Sequence, residues 1–178
     1  WQQHRAYGNA TDQIIADGQV FCLASGNLFA YDIETEEVTT FDADKGLNGS
    51  AISFMEFDST THTLVVAYAD GLIDLIDTRT FDVCSLAALR DSGIAGKNVN
   101  GILATDGTVW LCTDFGFITV DLVNKQFGET YDVEQKVITA AVHEGTLYYC
   151  ISGGGLYKAP LDSNLHDKSV HVRINGLI

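Results

Sequence analysis

Asp106-Gly107-Thr108-Val109-Trp110-Leu111-Cys112-Thr113-Asp114-Phe115-Gly116-Phe117-Ile118-Thr119-Val120-Asp121 reads as a tight turn, an apolar strand, a second turn and another strand. The same plan recurs at residues 17–32 (DGQVFCLASGNLFAYD), 61–77 (THTLVVAYADGLIDLID) and 144–161 (EGTLYYCISGGGLYKAPL). The aligned glycines Gly26, Gly71, Gly116 and Gly155 stand 45, 45 and 39 residues apart. A period of about 40–45 residues in β-type sequence is that of four-stranded propeller blades. Leucine-rich and ankyrin repeats are shorter, and HEAT or TPR repeats would carry a 3.6-residue period. The fold class is therefore all-β: a β-propeller whose four four-stranded blades form part of a larger ring of roughly seven blades.

Within each unit the strands differ in character. An inner strand comes first, at 52–57 (ISFMEF), 99–105 (VNGILAT) and 137–142 (VITAAV), with only Ile14-Ile15 marking it in the first unit. The second strand is continuously apolar, as in Leu64-Val65-Val66-Ala67-Tyr68. Continuous apolarity means that both faces are covered, as they are in a sheet held between two others. The third strand opens at the repeated glycine, where a turn needs positive φ, and ends at Asp32, Asp77 or Asp121. An outer strand at 37–41, 127–131 and 170–174 alternates polar with apolar residues, as a solvated edge does. Blade units are expected at about 10–48, 49–96, 97–135 and 136–175, with residues 1–7 a possible closing strand. Gly-Leu linker signals follow the first unit (Gly46-Leu47) and recur at Gly176-Leu177, where a fifth blade is expected to begin. The chain opens on Trp1 rather than Met, so both ends are expected to be cut points. An unclosed arc leaves an apolar blade face open, and self-association is the expected result.

The 178 residues include 17 glycines and one proline, and 46% are hydrophobic, which suits many short strands and a full core. Ten Lys+Arg against 24 Asp+Glu give a net charge of −14, a surface that repels phosphate backbones and anionic lipid. Nucleic acid is thereby disfavoured as a partner. The longest apolar runs are too short to cross a bilayer, so membrane insertion is not expected. Cys22, Cys84, Cys112 and Cys150 lack zinc spacing. They read as free, largely buried thiols, with a disulfide between neighbouring strands left open.

Where the chain reads Asp106-Gly107-Thr108-Val109-Trp110-Leu111-Cys112-Thr113 it resembles the periplasmic two-component regulator propeller repeat. Over nearly its whole length it is similar to the N-terminal propeller of PorZ-type proteins of Bacteroidetes. The matching stretches include Asn27-Leu28-Phe29-Ala30-Tyr31-Asp32, Lys45-Gly46-Leu47, Ala67-Tyr68-Ala69-Asp70-Gly71-Leu72, Phe115-Gly116-Phe117-Ile118-Thr119-Val120-Asp121-Leu122 and Asn164-Leu165-His166-Asp167. The resemblance implies a periplasmic or cell-surface protein, associated with the outer membrane, that serves type IX secretion. Its implied partners are proteins of an envelope complex, with any glycan or lipopolysaccharide bound through other domains. The alternative is a periplasmic glycan-sensing propeller of a hybrid two-component receptor.

Catalytic patterns are missing from the sequence. There is no G-x-S-x-G and no HExxH, and Ser152-Gly153-Gly154-Gly155 joins strand to strand rather than strand to helix. Asp42-Ala43-Asp44-Lys45-Gly46 starts like a calcium loop, but Ser53 stands where the closing glutamate belongs. The five histidines are scattered and read as surface residues. Asp32, Asp77 and Asp121 read as turn caps. No enzyme, cofactor or metal is expected. Because propellers bind through loops at one face of the ring, the candidate contact residues are Asn48, Asp70, Asn98, Asn100 and Asp114.

Overall fold

Two-residue turns fix the first hairpin of three of the units. Asp17-Gly18, Asp106-Gly107 and Glu144-Gly145 have positive φ at both positions (48° and 80°, 49° and 77°, 47° and 71°). This is the type I′ geometry whose twist matches the strands it joins. The computed structural model describes residues 8–41, 46–49 and 51–175, and in it these turns organise four separate antiparallel sheets. The first holds β1 (Ala10–Ala16), β2 (Gln19–Ala24), β3 (Asn27–Asp32) and β4 (Val38–Phe41). The second holds β5 (Phe54–Asp58), β6 (Thr63–Ala67), β7 (Ile73–Asp77) and β8 (Val83–Leu86), followed by a four-residue helix α1 (Ala88–Asp91). The third holds β9 (Gly101–Thr105), β10 (Thr108–Cys112), β11 (Gly116–Asp121) and β12 (Gln126–Asp132). The fourth holds β13 (Val137–His143), β14 (Thr146–Ile151), β15 (Leu156–Pro160) and β16 (Val172–Arg173). Strand order follows chain order in every sheet.

The sheets stack as propeller blades. The leading strands β1, β5, β9 and β13 are the ones that meet their counterparts in the next blade, which places them innermost. Three apolar cores lie between consecutive blades. The first joins Phe21, Leu23, Leu28 and Phe41 to Leu64, Val66 and Tyr68; the second joins Val65, Ala67 and Leu75 to Val109, Leu111 and Val120. The third joins Trp110, Cys112 and Phe117 to Leu147, Tyr149 and Leu165. All five residues of β6 are buried, since alternate side chains enter alternate cores. Among the described residues, four blades thus share three interfaces and do not close a ring.

The acids at the ends of the third strands close the turns that follow. Asp32 Oδ1 accepts from the N–H groups of Glu34 (2.9 Å) and Thr35 (2.8 Å). Asp77 does the same for Arg79 (2.9 Å) and Thr80 (3.2 Å), and Asp121 for Val123 and Asn124 (both 2.9 Å). These bonds hold all three carboxyls below the ordinary range. All four cysteines are free thiols, Cys22 and Cys112 buried and the other two half-buried. Burial pushes the Cys112 thiol up to about 12.

Some expectations need adjustment. The outer strand expected at 170–174 is only Val172–Arg173, because Lys168–Val170 winds into a 3₁₀ turn capped by Asp167, whose carboxylate accepts from Ser169 N–H (2.9 Å). The second unit gains β8 and α1, which its sequence did not announce. Trp1–Tyr7, Asp42–Lys45 of the calcium-like loop, and Gly176-Leu177 lie outside the described residues.

Candidate functional site: the loop face

Antiparallel order sends the β2–β3, β6–β7, β10–β11 and β14–β15 turns, and the connections between blades, to one end of the stack. All five candidate residues lie at that end. The structure brings three of them together. Asp114, in the β10–β11 turn, accepts from Asn98 Nδ2 at 2.9 Å and from Asn100 Nδ2 at 3.1 Å. Lys136, in the connection to the fourth blade, completes the cluster with Nζ 2.9 Å from Asp114 Oδ1. Lys136 and then Asn98 hold the Asp114 carboxyl below its ordinary range. Asn100 Nδ2 also donates to the Val137 carbonyl (3.2 Å), so the cluster spans the third and fourth blades. Lys136 was missed from sequence; the signal was a rare cation in a connection otherwise lined by acids and amides.

Asn48 and Asp70 do not join that cluster. The Asn48 N–H donates to Asp74 Oδ2 (3.2 Å), and its side chain donates to Gly46 O (2.8 Å) and Ser85 Oγ (2.6 Å). Asp74 is fully buried and accepts also from Tyr68 Oη (2.9 Å) and from Ser85 Oγ. Burial first, then Asp74, raises the Tyr68 phenol. The ring of Tyr68 lies where a Cβ on Gly49 would be, 1.9 Å away, so glycine there lets the loop close on the network. Asp70 folds back on its own turn, accepting from Leu72 N–H (3.1 Å).

At the opposite end, polar pins tie blade to blade. Asp17 of the first blade accepts from Thr78 Oγ1 and meets His62 Nδ1 at 2.9 Å, both in the second blade. Those two groups lower its carboxyl, Thr78 the more. Asp58, 2% exposed, accepts from Thr61 N–H and Oγ1 (2.8 Å each) and from Gly107 N–H in the third blade (3.0 Å). Within the fourth blade, His171 links Tyr149 Oη (3.1 Å) to the Leu165 carbonyl (2.9 Å). His62 and His171 are therefore structural ties rather than idle surface groups. A groove of about 330 Å³ runs over the inner strands, lined by Asp12, Met55, Glu56, Asn100 and Thr139 among others. Burial, then Asp12, raises the Glu56 carboxyl. Among the described residues no three His, Cys, Asp or Glu side chains converge as metal ligands. No helix there is long and apolar enough to span a membrane.

Four radially stacked blades with polar loops gathered at one end define a β-propeller arc. The chain belongs to the family of the type IX secretion protein PorZ, matching its N-terminal β-propeller domain over residues 20–171. The solved PorZ of Porphyromonas gingivalis, a bacterial surface component of the type IX secretion system, superposes with a TM-score of 0.84 at 25% identity. That match covers 96% of this chain and 23% of PorZ, so the chain spans under a quarter of that protein. The extracellular domain of a hybrid two-component system from B. thetaiotaomicron shares the fold at TM-score 0.72 and 16% identity, over 90% of this chain and 23% of that one. The computationally designed protein Ika4 does so at 0.69 and 13%, over 90% and 96% of the two chains. No curated protein sequence matches the chain.

Proposed function

We propose that this chain is a non-enzymatic binding and scaffold module of an envelope assembly serving type IX secretion, working in the periplasm or at the cell surface. The carrying observation is the family match along residues 20–171, supported by the likeness to PorZ over 96% of the chain. Its loop face, with Asn48, Asp70, Asn98, Asn100 and Asp114 joined by Lys136, is the surface offered to protein partners. The net charge of −14 directs any polyanionic lipopolysaccharide to other domains. The receptor reading has only a shared fold behind it, at 16% identity.

The test is a triple substitution, Asn98→Ala, Asp114→Ala and Lys136→Ala, introduced in the host protein, with folding checked by circular dichroism. Release of type IX cargo and co-purification with the secretion components should fall at least severalfold. A folded variant that secretes and co-purifies normally removes the loop face from the proposal. Normal secretion without the whole arc removes the scaffold role.

A further inference from the structure

One leading strand breaks the chemistry that blade packing sets in the other three. Two residues before each strand ends, β1 carries Ile14 opposite Phe21, β9 carries Leu103 opposite Trp110 and β13 carries Ala141 opposite Tyr148. At that register β5 carries Glu56, opposite the fully buried Val65. The row continues through Leu75 and Cys84, and its three other members belong to the core between the second and third blades. A half-buried carboxylate thus stands where the repeat places an apolar group. Among the described residues no hydrogen bond or salt bridge reaches it. Burial first, and then Asp12, raises its carboxyl.

The groove of about 330 Å³ that Glu56 lines crosses the leading strands of all four blades, from Asp12 in β1 to Thr139 in β13. Those strands lie innermost, so the groove faces the propeller axis and not the outer side of either terminal blade. What it offers is one-sided. Asp12 and Glu56 present carboxylates, and Asn100 spends its amide N–H groups on Asp114 and the Val137 carbonyl, which leaves it an acceptor. Phe54 and Ile138 add apolar wall. No lysine, arginine or histidine is among the described residues that line it. Two carboxylates beside an apolar wall, on a chain of net charge −14, favour a cation carried on an aliphatic stem. A groove that runs across four strands suits an extended chain better than a compact molecule.

We infer that this groove receives an arginine or lysine side chain of an extended partner segment, with Glu56 as the residue that pairs with its charge. The stem lies along Phe54 and Ile138, and the cation supplies the partner that the Glu56 carboxylate lacks within the fold. Pairing there offsets the desolvation that Glu56 bears in the free chain. The inference rests on the groove and not on the secretion role, so either proposal can fail alone.

The test titrates the full 178-residue chain with a blocked alanine pentapeptide carrying arginine at its centre, followed by NMR at 0.15 M salt or above, where diffuse attraction is screened. Amide signals of residues 53–56 and 100–102 should shift together, and the Glu56 carboxyl should fall toward its ordinary range as the peptide binds. Glu56→Gln should weaken binding by about tenfold or more, the worth of one hydrogen bond between charged groups. Glu56→Leu, which restores the residue type of the other blades, serves if the glutamine variant does not fold. Glu144→Gln, at an exposed acid in the turn at the opposite end of the stack, should change binding by less than about twofold. The same peptide with norleucine in place of arginine should not bind, and propylguanidinium, the side chain alone, should bind more weakly than the peptide. A groove that shows no shifts, equal binding of the norleucine peptide or of propylguanidinium, a Glu56→Gln variant that binds as the parent does, or an equal loss in Glu144→Gln would each overturn the inference.

Discussion

Asp58→Ala puts the pinning of blade to blade to a quantitative test. The carboxylate sits at the end of β5, 2% exposed, and collects three donors: Thr61 N–H, Thr61 Oγ1 and, from the third blade, Gly107 N–H. Alanine leaves two backbone N–H groups without acceptors, and each such group costs about 1–3 kcal/mol when water cannot reach it. Both donors lie in turns at one end of the stack, where water can replace part of what is lost. The expected cost is about 2–4 kcal/mol, a large part of the roughly 5–15 kcal/mol that holds a domain folded. Asp58→Asn keeps one carbonyl acceptor and should cost about half as much. Urea unfolding followed by far-ultraviolet circular dichroism measures both. The midpoint should fall with the slope unchanged if the four blades unfold together. An alanine cost below about 0.5 kcal/mol, the size of an ordinary surface substitution, would refute the reasoning. So would an asparagine cost equal to that of alanine.

Other outcomes follow from the same geometry. Trp110 stacks on Tyr131 (centroids 5.7 Å apart, planes at 20°) and meets Phe117 edge-on at 5.8 Å, so Trp110→Ala should cost about 3–5 kcal/mol in the same urea experiment. Gly49→Ala forces a Cβ against the Tyr68 ring, and overpacking of about 2 kcal/mol should lower the thermal midpoint by about 4–8 °C. The Glu56 carboxyl is raised in the fold, so its contribution is present below the ordinary carboxylate range and lost as pH rises through the raised value. Glu56→Gln should accordingly stabilise the chain at neutral pH, with the gain vanishing in acid. Lys136→Ala removes the main influence lowering Asp114, whose carboxyl should move back toward its ordinary range in an NMR titration.

The architecture was readable because the repeat is carried by residues that geometry demands. The glycines at 26, 71, 116 and 155 all have positive φ, and runs such as Leu64-Val65-Val66-Ala67 are buried on both faces. The role of Asp32, Asp77 and Asp121 was legible for the same reason, since each turn reuses one local hydrogen-bond pattern. Ties between residues far apart in the chain were not. Nothing local marks Asp17 as the partner of Thr78, or Asp58 as the acceptor for Gly107. Asn98, Asn100 and Asp114 could be placed on one loop face from sequence, but not their mutual hydrogen bonds, and Lys136 reaches them from the next connection and carries no motif. In the fourth outer strand the apolar alternation of Val170, Val172 and Ile174 outlived the pairing itself. Asp167 caps a 3₁₀ turn there and takes Val170 out of the sheet.

The turn-closing and pinning aspartates have a consequence for how the protein meets acid. Asp17, Asp32, Asp77, Asp114, Asp121 and Asp167 all release their protons more readily than free carboxyls, and the folded chain stays anionic where its composition alone would be neutralised. Its solubility minimum should therefore fall below the compositional value of about 4.4 for as long as the blades hold, and return toward that value once they come apart.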